Sequence, residues 1–282
     1  EFDFTASDDG VVVLDITAIT EGDHIRNMRC FRTDFERLLS AGRMTRPDYE
    51  WRNVSLMRFM DMMCTNGSSI AQWSERAHPA YYSWGQRGWP VEAIVQLANE
   101  YEVHPWVCMP HKADDDYIKR FAEYVRDNLN PELKCHVEWS NEVWNWGFQQ
   151  SHWCRDQAVA MGWGQKSFEY AGARAAQCMN IWTQVFAGQM HRIVRIGGTQ
   201  TAWLGLESAF FESPPWVKMG NPAPYLSFDA YAVTGYFDGG LSNGSGATAL
   251  KTYLQSHTEE EGMFYAEAQC MDASIKQSIP DI

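Results

Sequence analysis

Short apolar runs along the chain alternate with longer stretches whose apolar residues return every third or fourth position, the periods of a strand and of an amphipathic helix. The runs at residues 25–31, 55–60, 104–110, 134–139, 192–198, 228–237 and 262–269 read as seven strands, and the stretches at 35–39, 90–100, 117–129, 149–161 and 170–186 as helices. Strand and helix alternate at intervals of roughly 30 to 55 residues, as βα units require. Pro90 stands at the start of one helix. Asp114, Asp115 and Asp116 open the next, where acidic side chains meet free N–H groups and the positive end of the dipole; that role explains the triplet better than a metal site does. Residues 11–19 form an earlier β-branched strand behind the turn-like Ser7-Asp8-Asp9-Gly10. The expected organisation is an N-terminal β segment over residues 1–22, the end of a preceding β-domain, followed by one α/β domain over residues 23–282.

The chemistry gathers where the fourth run ends. Asn141 and Glu142 follow the buried strand 134–139 and are enclosed by Trp139, Trp144 and Trp146. A carboxyl pressed against aromatic surface loses solvation of its charged form, so its pKa rises and it can donate a proton near neutrality. Indole faces stack on the C–H faces of sugar rings, and an amide offers both a donor and an acceptor to a hydroxyl. A carboxylate held among indoles at a strand end therefore suggests sugar chemistry.

Residues 138–145, Glu-Trp-Ser-Asn-Glu-Val-Trp-Asn, resemble the acid/base motif of glycoside hydrolase clan A, the retaining (β/α)8-barrel glycosidases. The resemblance implies a (β/α)8 barrel of the TIM type with Glu142 as acid/base at the end of strand four. It also implies a nucleophilic glutamate at the end of strand seven, and Glu267 lies there, 125 positions further on. Only 15 residues follow Glu267, too few for a further helix, an eighth strand and a closing helix. Either residues 11–19 close the barrel or the barrel is incomplete at its C-terminal side, and the motif register favours the second. By the same resemblance Arg58 keeps the nucleophile ionised, Tyr236 hydrogen-bonds it, Asn141 contacts the 2-hydroxyl, and His111 contacts substrate from strand three. Trp144, Trp146, Trp84 and Trp203 are the candidate stacking platforms.

Composition narrows the substrate and the setting. With 282 residues, 45% of them hydrophobic, the chain can bury one large core, and its 13 Trp leave indoles over for a polysaccharide groove. A formal charge of −13 argues against nucleic acid, against anionic membrane surfaces and against a strongly polyanionic substrate. No apolar stretch approaches the roughly 18 residues of a membrane span, and the N-terminus has no signal-peptide pattern, so the sequence reads as a processed or partial product. Seven cysteines show no close-spaced ligand pattern; most are expected in the core, with one or two disulfides open if the protein is secreted. Asn53, Asn66 and Asn243 head glycosylation sequons.

The expectation is an extracellular or cell-surface enzyme that cleaves β-glycosidic bonds in a neutral polysaccharide or oligosaccharide by double displacement. It uses no cofactor and no metal, and flanking carbohydrate-binding or anchoring domains would fit such a role. The alternative is a non-catalytic carbohydrate-binding or structural protein of a cell surface or filament, built on the same barrel. A metal-dependent hydrolase is disfavoured because His24, His104, His111 and His136 are scattered in phase.

Overall fold

The structure, a computed structural model, describes residues 15–23, 25, 41, 54–81, 83–201, 203–235, 244–259, 261–263 and 265–266. The chain separates into two compact units, Glu1–Thr45 and Arg46–Ile282. In the first, Thr20 and Asp23 form an isolated antiparallel bridge, and residues 15–19 are not in a strand; residues 11–14 lie outside the described residues. So do residues 26–31, which hold most of the expected first strand.

The second unit is built on one sheet of five parallel strands, β1 (Leu56–Arg58), β2 (His104–Met109), β3 (Cys135–Trp139), β4 (Ile193–Thr199) and β5 (Ala230–Val233), neighbours in chain order. Five of the seven strands read from the apolar runs therefore form where they were expected. The eight-stranded barrel does not: the described residues make a curled, all-parallel half-barrel. The run at 262–269 is also not a strand where it is described, because residues 261–263 and 265–266 are helical. Thr258 and Glu261 explain the difference. The Thr258 N–H donates to Glu261 Oε2 at 2.8 Å and the Glu261 N–H donates to Thr258 Oγ1 at 3.3 Å, a reciprocal cap that starts a helix.

Strand alternation divides the sheet. Register pairs Arg58 with Trp106, Trp106 with His136 and Cys108 with Glu138, so these residues share one face. Met57, Val107 and Val137 point to the other face, which carries the core. Helix α1 (Val91–Tyr101) follows Pro90 and buries Val91, Ile94, Val95 and Ala98. Helix α2 (Asp115–Asn128) starts at Asp114, whose carboxylate accepts the Tyr117 N–H at 2.7 Å, and it buries Ile118, Phe121, Ala122 and Val125.

Helix α3 (Gln149–Ala160) leads to α4 (Ser167–Val185), which packs on α2, α3 and the sheet. Its small residues Ala171, Gly172, Ala175 and Ala176 are buried, and Trp182 stacks on Phe186 at 5.7 Å at its far end. Among the elements that follow are α5 (Pro214–Lys218) and α6 (Gly244–Leu254). Cys108, Cys135, Cys154 and Cys178 are free thiols in the buried interior. Among the described residues no helix is long and apolar enough to cross a membrane.

Candidate active site

The site forms at the C-terminal ends of β1, β2 and β3, the end of a parallel sheet at which α/β proteins bind ligands. The polar side chains of the sheet's cleft face meet there. Glu138, one turn of the pleat before the end of β3, is buried and accepts from Arg58 Nη2 at 2.7 Å and Nε at 3.2 Å. Trp106 Nε1 donates to the same oxygen at 2.9 Å, and the Cys108 thiol does so at 3.5 Å. Burial pushes the Glu138 carboxyl above its ordinary range, and the Arg58 charge pulls it back. Burial, with Glu138 beside it, keeps Cys108 a thiol and therefore a donor. The Arg58 guanidinium also lies over the Trp106 ring, 5.0 Å from its centroid.

Past β3 the backbone turns sharply. Ser140 and Glu142 both adopt positive φ, +63° and +42°, and the Ser140 N–H stays tied to the Met109 carbonyl at 2.8 Å. Left-handed backbone at two non-glycine residues is strain of the kind that collects at functional sites. It presents Asn141 and Glu142 to the cleft, Val143 returns to the interior, and the mostly buried Trp144 lines the cleft wall. Asn145 Nδ2 donates to Glu142 Oε2 at 2.9 Å, which holds the carboxylate near the following loop.

Asn141 sits in a chain of side-chain hydrogen bonds. Arg58 Nη2 donates to its Oδ1 at 3.0 Å, and its Nδ2 donates to Asn66 Oδ1 at 3.0 Å. Gln150, fully buried at the start of α3, donates from Nε2 to Asn66 Oδ1 and to the Asn141 carbonyl, both at 2.7 Å. Its Oε1 accepts the Gly67 N–H at 3.0 Å. Arg58, Trp106, Glu138, Asn141, Glu142 and Trp144 line an open cleft of about 230 Å³, whose opposite wall is Gly198, Thr199 and residues 232–235.

The structure thus brings together Arg58, Asn141, Glu142 and Trp144. His111 is elsewhere: it is fully buried, its ring edge-on to Trp153 at 5.5 Å, and neither ring nitrogen has a hydrogen-bond partner. Burial, with Lys112 nearby, lowers its pKa to about 4. Trp146 and Trp203 are surface rings, each 43% exposed, and both contact Phe168, at 6.3 and 5.3 Å. Trp84 packs against Trp89 and donates to the His78 carbonyl, outside the cleft lining. Tyr236 and Glu267 lie outside the described residues.

Sequence reasoning missed Glu138, Trp106, Asn66 and Gln150. The first had a signal: a carboxylate in the middle of a buried strand demands a cation, and Arg58 ends a neighbouring strand. The amides carried none. Among the described residues no three His, Cys, Asp or Glu side chains converge as metal ligands would. Comparison with family models, with curated proteins and with solved structures finds no match to this chain.

Proposed function

We propose that this chain is a retaining glycoside hydrolase of β-glycosidic bonds in a neutral polysaccharide, acting outside the cell or at its surface. Glu142 is the acid/base and Glu267 the nucleophile. The observation that carries the reading is the position of Glu142: a strand-end carboxylate on the lip of a cleft, between the Arg58–Glu138–Asn141 network and the Trp144 ring. In double displacement Glu142 protonates the leaving oxygen as the nucleophile attacks the anomeric carbon, then deprotonates the water that releases the sugar. The described residues bound about 230 Å³ of cleft, less than the roughly 300 Å³ that encloses a drug-sized ligand, so this cleft does not enclose a polysaccharide chain. Trp146 and Trp203 offer exposed faces of the kind such a chain stacks on.

The test is purified protein against a polysaccharide panel and aryl β-glycosides, with Glu142→Gln and Glu267→Gln. Loss of general acid–base catalysis costs about 10²- to 10⁴-fold, and removal of the nucleophile abolishes turnover. An aryl leaving group of low pKa needs little protonation, so Glu142→Gln loses less on it than on the polysaccharide. Full polysaccharide activity in either variant removes that residue from the mechanism.

One observation favours a second reading, a carbohydrate-binding protein without turnover. Glu138, the other carboxylate of the cleft among the described residues, is already engaged by Arg58, Trp106 and Cys108. Under that reading the wild type binds a glycan, leaves it intact, and Glu142→Gln changes affinity alone.

A further inference from the structure

The hydrogen bonds around Asn141 run between two groups that can only donate. At one end the Gly67 backbone N–H points at Gln150 Oε1, so the Gln150 nitrogen is on the other side, where it meets the Asn141 carbonyl. A carbonyl accepts, which fixes Gln150 twice over. The same nitrogen donates to Asn66, so the Asn66 oxygen faces it, and that oxygen also accepts from Asn141. At the other end the Arg58 guanidinium, always a donor, meets the Asn141 oxygen. Each amide therefore has one orientation that satisfies its neighbours; reversing any one sets donor against donor or acceptor against acceptor.

We infer that Gln150 and Asn66 are positioning residues that lock the Asn141 amide in one orientation, with its oxygen on Arg58 and one N–H on Asn66. One N–H of Asn141 is used on Asn66 and its oxygen is used on Arg58. The second N–H and the second lone pair of the oxygen remain, each held at a fixed position. A sugar hydroxyl, which both donates and accepts, meets either group in the place that the lock sets. The inference deepens the glycosidase reading and, for its kinetic consequences, rests on it: the lock holds the Asn141 amide in place for a sugar hydroxyl.

Gln150→Glu tests it, because the new carboxylate keeps the acceptor for Gly67 but turns the donor into a second acceptor facing Asn66 and the Asn141 carbonyl. The mismatch propagates to Asn141. At neutral pH we expect a loss of about 100-fold in kcat/KM on an aryl β-glycoside, the cost of a misplaced contact. On acidification the ratio of variant to wild type rises, because a protonated carboxyl donates again. A merely structural role predicts a ratio flat with pH, and that result overturns the inference. Asn66→Leu loses activity similarly, whereas Asn66→Asp, which keeps the accepting oxygen, recovers to within about tenfold of wild type.

The side-chain amide protons of Asn141, followed by nuclear magnetic resonance without substrate, give a readout independent of turnover. We expect slow exchange for the N–H on Asn66, and a shift in the Gln150→Glu protein that reverses at low pH. Signals that ignore Gln150→Glu refute the lock; if that variant does not fold, the same signals in the Asn66→Asp and Asn66→Leu proteins decide. A wild type that hydrolyses no β-glycoside, with Asn141 signals that do respond, sinks the hydrolase and leaves the lock standing.

Discussion

At the scale of single residues, the candidate site and the ground beneath it obey different rules. Arg58, Asn141 and Glu142 each end a strand or follow one, and a strand end can be located from the apolar run before it. His111 also follows a strand, yet the structure turns it into the interior, where it packs on Trp153 with both nitrogens unpartnered. Burial lowers its pKa from the ordinary 6.5 to about 4, so the folded protein favours neutral imidazole. The stability this gives is present above pH 6.5 and is lost as pH falls from there towards 4. The loss amounts to about 3 kcal/mol. Denaturant unfolding at pH 7 and pH 4 should show the wild type losing that much more than His111→Phe, a variant of similar shape that cannot take the proton. Equal losses in the two proteins would mean that His111 is protonated in the native state without cost.

Among the elements, legibility followed the number of independent signals each one carried. Helix α2 had both an acidic N-cap and an apolar stripe, and it starts at Asp114 as those require. The run at 262–269 had only its apolarity, which a short strand and a buried helix share, and the capping pair Thr258–Glu261 decides for the helix. Helix α4 illustrates a third case, since its small residues mark a close contact without naming the partner. The partner is the short π-helix Ser208–Glu212: a Cβ on Gly172 would run into the Phe210 backbone carbonyl. Backbone cannot yield there as the end of a flexible side chain can. Gly172→Ala should therefore destabilise by about 2 kcal/mol or more, despite alanine's better helix propensity. Thermal unfolding checks it, and a raised Tm would show that α4 and the π-helix are free to separate.

For the molecule as a whole, the parallel βα order could be read in advance while the closure of the barrel could not. Each strand announces itself locally, but closure depends on how strands far apart in sequence curl the sheet, and no run of residues encodes that. Net charge is the property that composition states for the entire chain at once, and −13 has a functional consequence for the proposed hydrolase. A net negative charge neither attracts nor repels a neutral glycan, but it repels a polyanionic one over the Debye length, about 10 Å at 0.1 M salt. The KM for a neutral polysaccharide should change less than about twofold between roughly 20 mM and 500 mM sodium chloride. A carboxylated polysaccharide on a similar backbone should bind weakly at low salt and improve as the field is screened. Among the described residues that line the cleft, Arg58 is the cation, but its charge is paired with Glu138 at 2.7 Å and so adds little attraction of its own. If the carboxylated substrate instead binds best at low salt and weakens as salt is added, the local field of the cleft is positive. Arg58 then faces the ligand with more of its charge than its pairing with Glu138 allows, and acidic glycans become the better substrate class.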